Sequence, residues 1–405
     1  MAHPASPSRS LFLILVALTA LGEISTQLIV PSLGALELAM SARPGSSLLA
    51  LSVFVGAFGL GQLVLGPLSD RIGRRPVLLA GLSVYLLATL WLLLAGSMAE
   101  FIAARVLQGL GACAAIVLAR AIVRDVWQAQ AGPALAQTVI GMLCAIAVAP
   151  MLGGALSLHA GWRAPIALAL LVGACTLVAV LNLYRESNPR LDPQAGQLKT
   201  LAGNYADLLK ARSFQAFALT LACTYGAMFA MIAGSSAVYM GLLGLSAAQY
   251  GLIFGLIVSG LIAGAFFTQR MIMHWGPDKI VALGVALVAM GSLSTWAIYQ
   301  GLGLSVLGLS LPQVLVTLGG GMVLPASVAG AVMPNAQRAG LAAGFMGFAQ
   351  MAGATLSGVL LSLLQDGSAW PMVLLNSLFA AAAFCAFQLL RGRAPIAGLA
   401  VVKRP

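Results

Sequence analysis

Apolar residues run along this chain in blocks far longer than a soluble core helix needs, and short polar breaks separate them. The blocks cover residues 11–30, 48–69, 76–95, 101–123, 132–158, 162–184, 214–240, 250–270, 280–300, 304–332, 340–363 and 368–390. Each is long enough to cross a hydrocarbon core of about 30 Å as a helix. A membrane barrel would instead show alternating strands of roughly 10 residues. In lipid, a helix satisfies its own backbone polar groups, so the pattern predicts an all-α membrane protein of twelve transmembrane helices.

The longest polar break, residues 185–212, separates six blocks from six. The expected organisation is a six-helix bundle over 1–184, a linker over 185–212, and a second bundle with a polar tail over 213–405. The linker opens loop-like with RESNPRLDPQAGQ and ends with NYADLLKARSF, which has the spacing of a short amphipathic surface helix. DRIGRRP after the second block has a degenerate echo, MHWGPDK, after the eighth, as an internal duplication would leave. Paired six-helix halves with a site between them are a recurring transporter plan.

Composition agrees: 60% of residues are hydrophobic and 8% charged, and mean hydropathy is +1.00. A soluble domain carries about 25% charged residues. The net charge of +11 in a soluble protein would raise nucleic acid as a partner. Here its distribution gives another reading. With the N-terminus inside, the inner segments hold Arg9, Arg71, Arg74, Arg75, Arg124, Arg185, Arg190, Lys199, Lys210, Arg212, Arg270, Lys279, Arg338, Arg391, Arg393, Lys403 and Arg404. The opposite loops hold Arg43 and Arg163, while Arg105 and Arg120 fall within spans. Such a bias places both termini in the cytoplasm, so the basic excess is an orientation signal and no nucleic-acid partner is expected. Cys113, Cys144, Cys175, Cys223 and Cys385 lie inside apolar blocks without metal-ligand spacing, and read as small packing residues.

The segment GPLSDRIGRRPVLLAG breaks the rule of sparse charge, with Asp70, Arg71, Arg74 and Arg75 inside six residues. Three arginines anchor topology, Gly73 permits an unusual backbone, and Pro76 suits a helix's first turn. Asp70 is left over. A carboxylate there can pair with arginines or sit at a helix N-terminus, latching the halves in one conformation and releasing them in another. The pattern Gly66-x-Leu68-Ser69-Asp70-Arg71-x-Gly73-Arg74-Arg75 resembles the loop 2–3 signature of the major facilitator superfamily. Arg105-x-x-Gln108-Gly109 is similar to that family's fourth-span motif. Pro150-x-x-Gly153-Gly154 is similar to its antiporter motif, with Ala145 and Ala149 in place of glycines. ARAIVRD, carrying Arg120, Arg124 and Asp125, and the YADLLKARSF linker resemble the bicyclomycin/chloramphenicol-resistance subfamily of drug:proton antiporters. That subfamily has an aspartate late in span one, where this chain has Gln27.

The resemblance implies a multi-pass bacterial inner-membrane protein that exports partly apolar compounds against protons by alternating access. A monomer without cofactor or metal is expected. A proton symporter or a facilitator importing a metabolite fits the same scaffold. No Gly-x-x-x-x-Gly-Lys-Ser/Thr loop, intramembrane His pair or Ser/Lys dyad points to ATP drive or to an enzyme. Glu23 lies about 18 Å into span one, where an ionisable group is costly and by default functional. It is the proton-coupling candidate, together with Arg105, about 6 Å into span four. Gln27, Gln108, Tyr225, Phe229, Tyr239, Phe345, Phe348 and Gln350 are the candidate substrate-binding residues. The candidate gate comprises Gly66, Asp70, Arg71, Gly73, Arg74, Arg75, Arg120, Arg124, Asp125, Pro150, Gly153 and Gly154, with Arg120 and Arg124 read first as anchors near the inner edge.

Overall fold

The structure is a computed structural model that describes residues 8–188, 191–193 and 197–391. The basic residues Arg190, Arg393, Lys403 and Arg404 lie outside the described residues. The first half consists of α1 (Arg9–Gln27), continued by a short turn into α2 (Leu33–Ala39), then α3 (Ser46–Ile72), α4 (Arg74–Leu94), α5 (Met98–Trp127), α6 (Ala131–Ala160) and α7 (Arg163–Leu183). The linker carries α8 (Leu198–Lys210). The second half has α9 (Arg212–Ser236), α10 (Ala247–Leu302), α11 (Val306–Val332), α12 (Ala339–Leu364) and α13 (Trp370–Arg391). Gly276 breaks α10 with φ 73° and ψ 163°, so this element holds two helical spans. Eleven helices among the described residues are long and apolar enough to cross a membrane, and the break in α10 makes twelve spans.

Local chemistry sets the ends. Ser97, Ser246 and Ser305 cap α5, α10 and α11, each accepting a backbone N–H from the first turn; Ser246 and Gln249 complete a capping box. The echo between DRIGRRP and MHWGPDK is also conformational. Gly73 (φ 105°, ψ 152°) and Gly276 (φ 73°, ψ 163°) take the same left-handed-φ turn, each followed by proline within three residues. A side chain would strain either turn.

Burial is inverted relative to a soluble protein. Leu13, Leu87, Leu94, Leu252, Leu302 and Leu307 are exposed, whereas Arg105, Gln108, Thr89, Gln313, Thr295 and Asn376 are buried. Lipid covers the outer leucines, and the polar groups pair inside: Gln313 Nε2 donates to Thr295 Oγ1 at 3.0 Å and to Asn376 Oδ1 at 3.3 Å. The cysteines correct the packing expectation. Cys113 is buried, but Cys144, Cys175 and Cys385 are exposed and Cys223 is half-buried. A thiol is apolar enough to face acyl chains, so a cysteine in an apolar block need not pack inward.

The halves meet unevenly. One hydrophobic cluster joins α1–α7 to the ends of α9–α13 farthest from the linker, through Phe229, Tyr239, Tyr250, Leu309, Leu361 and Met372. A separate cluster, including Phe214, Phe217, Val281, Met322 and Met346, holds the linker side of the second half. On the far side, Ser362 Oγ donates to the Gly45 carbonyl at 2.7 Å. A Cβ added at Gly251 would stand 2.2 Å from Met151 Cγ, and one at Gly59 would stand 2.6 Å from Met351 Cβ of α12. The halves are thus closed on the far side. Toward the linker, α3 and α12 still touch at Gln62 and Gly347. There Tyr205 of α8 donates to the Leu63 carbonyl at 3.0 Å and packs its ring on Phe345.

Candidate functional site: an inter-half cavity with one carboxyl

Between the halves lies a small cavity of about 20 Å³. Gly22, Glu23, Thr26 and Gln27 of α1, Phe54, Val55 and Phe58 of α3, Tyr225, Phe229 and Ile232 of α9, and Met351 of α12 line it. The apolar and aromatic wall with few polar groups is typical of small-molecule sites. Glu23 and Gln27 are one helical turn apart, so both face inward. Glu23 is half-buried. Gln27 is 3% exposed and, among the described residues, its Oε1 has no hydrogen-bond partner. Burying an acceptor unpaired costs about 1–3 kcal/mol. Tyr225 pairs with the Gln350 side chain and interacts electrostatically with Glu23.

Behind the cavity wall sits a polar network internal to the first half. Arg105, 1% exposed, donates from Nη1 to Gln108 Oε1 at 2.6 Å and to the Ser25 carbonyl at 3.4 Å. Its Nε reaches the Ala50 carbonyl at 3.4 Å, and its guanidinium lies 4.1 Å from the Phe54 ring centroid. Gln108 Nε2 donates to Thr89 Oγ1 at 2.9 Å. Ser25 Oγ and the Tyr85 hydroxyl share a hydrogen bond of 2.7 Å, and Tyr85 donates to the Ala169 carbonyl at 3.2 Å. Arg105 and Gln108 line a second small cavity of about 10 Å³ rather than the inter-half one. The network therefore grips α1 at Ser25, between Glu23 and Gln27.

The cation that acts on Glu23 through its charge is Arg120, while Arg105 is spent in its own network. Arg120 is exposed although it lies well inside its span, and it interacts electrostatically with Glu23 and with buried Cys113. Among the described residues no basic group comes within 4.0 Å of the Glu23 carboxylate, so the pair attract without a fixed salt bridge. Arg124, one turn on, is also exposed. Counting residues inward along α5 put Arg120 near the inner edge as an anchor.

The charged turn is a closed cluster. Arg74 pairs with Asp70 and, through Nε, with Asp125 Oδ2 at 3.0 Å, and its Nη1 donates to Ser69 Oγ at 2.6 Å. The first residues of the linker complete it. Glu186 accepts the backbone N–H groups of Arg74 at 3.1 Å and Arg75 at 2.9 Å, capping α4, whose own N-cap, Gly73, offers no side chain. The Asp192 N–H donates to the Asp70 carbonyl at 3.0 Å. Arg75 donates to the Leu181 carbonyl at 3.1 Å, and Arg71 is exposed. Every partner named here belongs to the first half or the linker, so the latch between halves expected at Asp70 is not made in this conformation. Gly66 faces Val117 within the first half.

The remaining candidates lie elsewhere. Tyr239 is buried, sharing a 2.9 Å hydrogen bond with Ser310, and lies outside the cavity. Phe345 and Phe348 form an aromatic cluster with Tyr205 and Phe214 on the linker side. Pro150 lies inside α6, and Gly153 is where α6 meets α1: a Cβ there would stand 2.1 Å from the Leu28 carbonyl oxygen. Gly154 beside it is buried. Sequence reasoning missed Thr26, Phe54, Phe58, Ile232 and Met351 as cavity residues, and Glu186 as a cap. Only Glu186 left a signal, because a helix opening GRRP lacks an acceptor at its N-cap and must borrow one.

The comparisons with known proteins agree with this geometry. Residues 12–358 match the model of the Major Facilitator Superfamily. Multidrug resistance protein D of Escherichia coli is 31% identical over 87% of this chain and 88% of its own length. The chloramphenicol resistance protein of Pseudomonas aeruginosa is 29% identical over 87% and 84%, respectively. The solved xylose transporter XylE of E. coli, in a partially occluded inward-open conformation, superposes with a TM-score of 0.72 at 12% identity, covering 95% of this chain and 97% of its own. Twelve spans in two facing halves, a cavity walled by both, and a sequence match along most of its length place this chain in the Major Facilitator Superfamily.

Proposed function

We propose that this protein is a proton-coupled exporter of small amphipathic compounds, with Glu23 as the proton-carrying group. The observation that carries this reading is the carboxyl of Glu23 on a cavity wall that both halves complete. A proton moving on or off that group changes the charge inside a low-dielectric site, and so changes which arrangement of the halves is favoured. The relatives named for multidrug and chloramphenicol resistance support drugs as cargo.

In this reading the linker side is cytoplasmic, as the basic bias of its loops indicates, and the protein lies in the bacterial inner membrane as a monomer. The halves, 1–184 and 213–405, rock about the cavity while 185–212 joins them. Arg105 acts as a positioning residue: its hold on the Ser25 carbonyl sets the turn of α1 that carries Glu23 and Gln27. The charged turn and Pro150-x-x-Gly153-Gly154 form the elements that move.

The test is proton-driven uptake in everted vesicles. Glu23→Gln should abolish uptake driven by the proton gradient while leaving equilibrium binding of the compound within about threefold, since the isosteric amide keeps the shape but cannot lose a proton in this range. Driven uptake at the wild-type rate in the variant would remove Glu23 from the mechanism.

A further inference from the structure

Pro67 lies inside α3, which continues past it to Ile72. A proline has no N–H, so the carbonyl four residues earlier, that of Leu63, loses the donor its own helix would have supplied. Away from water a carbonyl left without a donor is costly, and another group must serve it. Here the linker serves it: the Tyr205 hydroxyl of α8 donates to the Leu63 carbonyl at 3.0 Å. The rest of α8 is seated on the second half. Leu208, 3% exposed, joins the cluster of Phe214, Phe217 and Met346. Asp207 pairs at 3.5 Å with Arg338, in the turn between α11 and α12. The Tyr205 ring packs on Phe345 of α12, with centroids 5.9 Å apart. The helix thus rides on one half and reaches the other with the Tyr205 hydroxyl, beside the point where Gly347 of α12 meets Gln62 of α3.

We propose that Tyr205 is the linker-side gate of the transport cycle: its hydroxyl fastens α8 to the carbonyl that Pro67 frees, and this bond breaks whenever the halves part on that side. The acceptor belongs to α3 and the tyrosine ring is held by α12, so a motion that separates these helices pulls donor from acceptor. The proline gives the bond its purpose. An ordinary helix carbonyl keeps its i+4 donor in both forms, whereas Leu63 has a protein donor only while Tyr205 is in place. The linker helix therefore does more than connect the halves; it favours the form in which the linker side is shut. Loss of one such hydrogen bond corresponds to about a fivefold change in the ratio of open to shut forms.

This inference rests on the reading of two halves that rock, but its test needs neither cargo nor proton gradient. In a cysteine-free background, Ile72→Cys and Met333→Cys carry spin labels at the linker-side end of α3 and just past α11; both side chains are exposed, so the labels displace no packing. Double electron–electron resonance on the full chain in nanodiscs then gives the populations of short and long distances between them. Tyr205→Phe keeps the ring on Phe345 and removes only the hydroxyl. It should raise the ratio of the long to the short population about fivefold. Pro67→Ala returns an N–H to α3 and so gives the Leu63 carbonyl a donor in both forms. Adding Tyr205→Phe to Pro67→Ala should therefore change the ratio by less than about twofold. A merely structural role for Tyr205 would not depend on what stands at position 67.

A population ratio in Tyr205→Phe that stays at the wild-type value overturns the inference, as does a shift of equal size with and without Pro67→Ala. If Pro67→Ala does not fold, Tyr205→Phe decides alone: without a gain of the long distance, the hydroxyl is no gate. Failure of the export reading would look different. The distances would respond as stated, while vesicles holding the wild-type protein showed no uptake driven by a proton gradient.

Discussion

At the residue scale, the informative groups are those whose polar atoms are not used up by the protein. Gln27 stands where the resembled subfamily carries an aspartate, and its buried Oε1 is unpaired. An acceptor without a donor destabilises the empty protein, and a ligand that supplies the donor recovers that cost. Gln27→Leu should therefore leave the melting temperature unchanged or raise it, while weakening binding of a donor-bearing compound by about tenfold. Thermal unfolding and binding measured on the same preparation check both halves of the expectation. A fall in stability with unchanged binding would make Gln27 a structural residue. Glu23 was legible as a singular residue because a lone carboxyl in an apolar block needs no structure to stand out. Its partner was not legible, since Arg105 and Arg120 are both arginines on the same helix. Only packing puts Arg105 on the Ser25 carbonyl of α1 and spends it there.

At the element scale, helix ends and helix crossings hold the first half together. The N-terminus of α4 follows a glycine and has no capping side chain of its own, so Glu186, more than 100 residues later, supplies both acceptor oxygens. A carboxylate at that end also meets the positive pole of the helix dipole. Glu186→Ala should destabilise the protein by about 1–2 kcal/mol, read as a lower melting temperature, and free the start of the linker. Glu186→Gln should retain part of the stability, because one amide oxygen still accepts. Equal stability of Glu186→Ala and the wild type would remove the cap from the account. The amphipathic period of the linker's end announced α8, whose polar face pairs Asp207 with Lys210 at 2.8 Å and with Arg338 at 3.5 Å. The hydrogen bond and charge of Lys210 hold the Asp207 carboxyl below its ordinary range. The docking of Glu186 and Asp192 on the charged turn left no such period. It depends on single side chains meeting across a long stretch of chain.

At the scale of the whole molecule, the two halves are joined on the side away from the linker through small residues at the crossings. Gly251 against Met151 is among the tightest of these contacts. A tryptophan cannot occupy that contact while the far side is closed, so Gly251→Trp should shift the protein toward a form open on that side. In a cysteine-free background, Thr26→Cys places a thiol on the cavity wall. A membrane-impermeant maleimide added from the far side should then label it several-fold faster with Gly251→Trp than without it. Equal labelling would mean that this crossing is not part of the moving interface.

What the amino-acid order alone determined is what the solvent imposes. Lipid demands long apolar helices with their polar groups satisfied internally, and the charge asymmetry of short loops carries orientation, so spans, pairing of halves and a lone acid within a span can be read from one dimension. The tertiary structure decided which faces of those helices meet. An apolar helix in lipid is apolar all round, so its pattern does not distinguish a face against acyl chains from one against a neighbour. That is why Cys144 was misplaced and Phe345 left open, why the cavity wall of Phe54, Phe58, Ile232 and Met351 went unread, and why the grip of Arg105 on α1 emerged only when α1 and α5 were seen side by side.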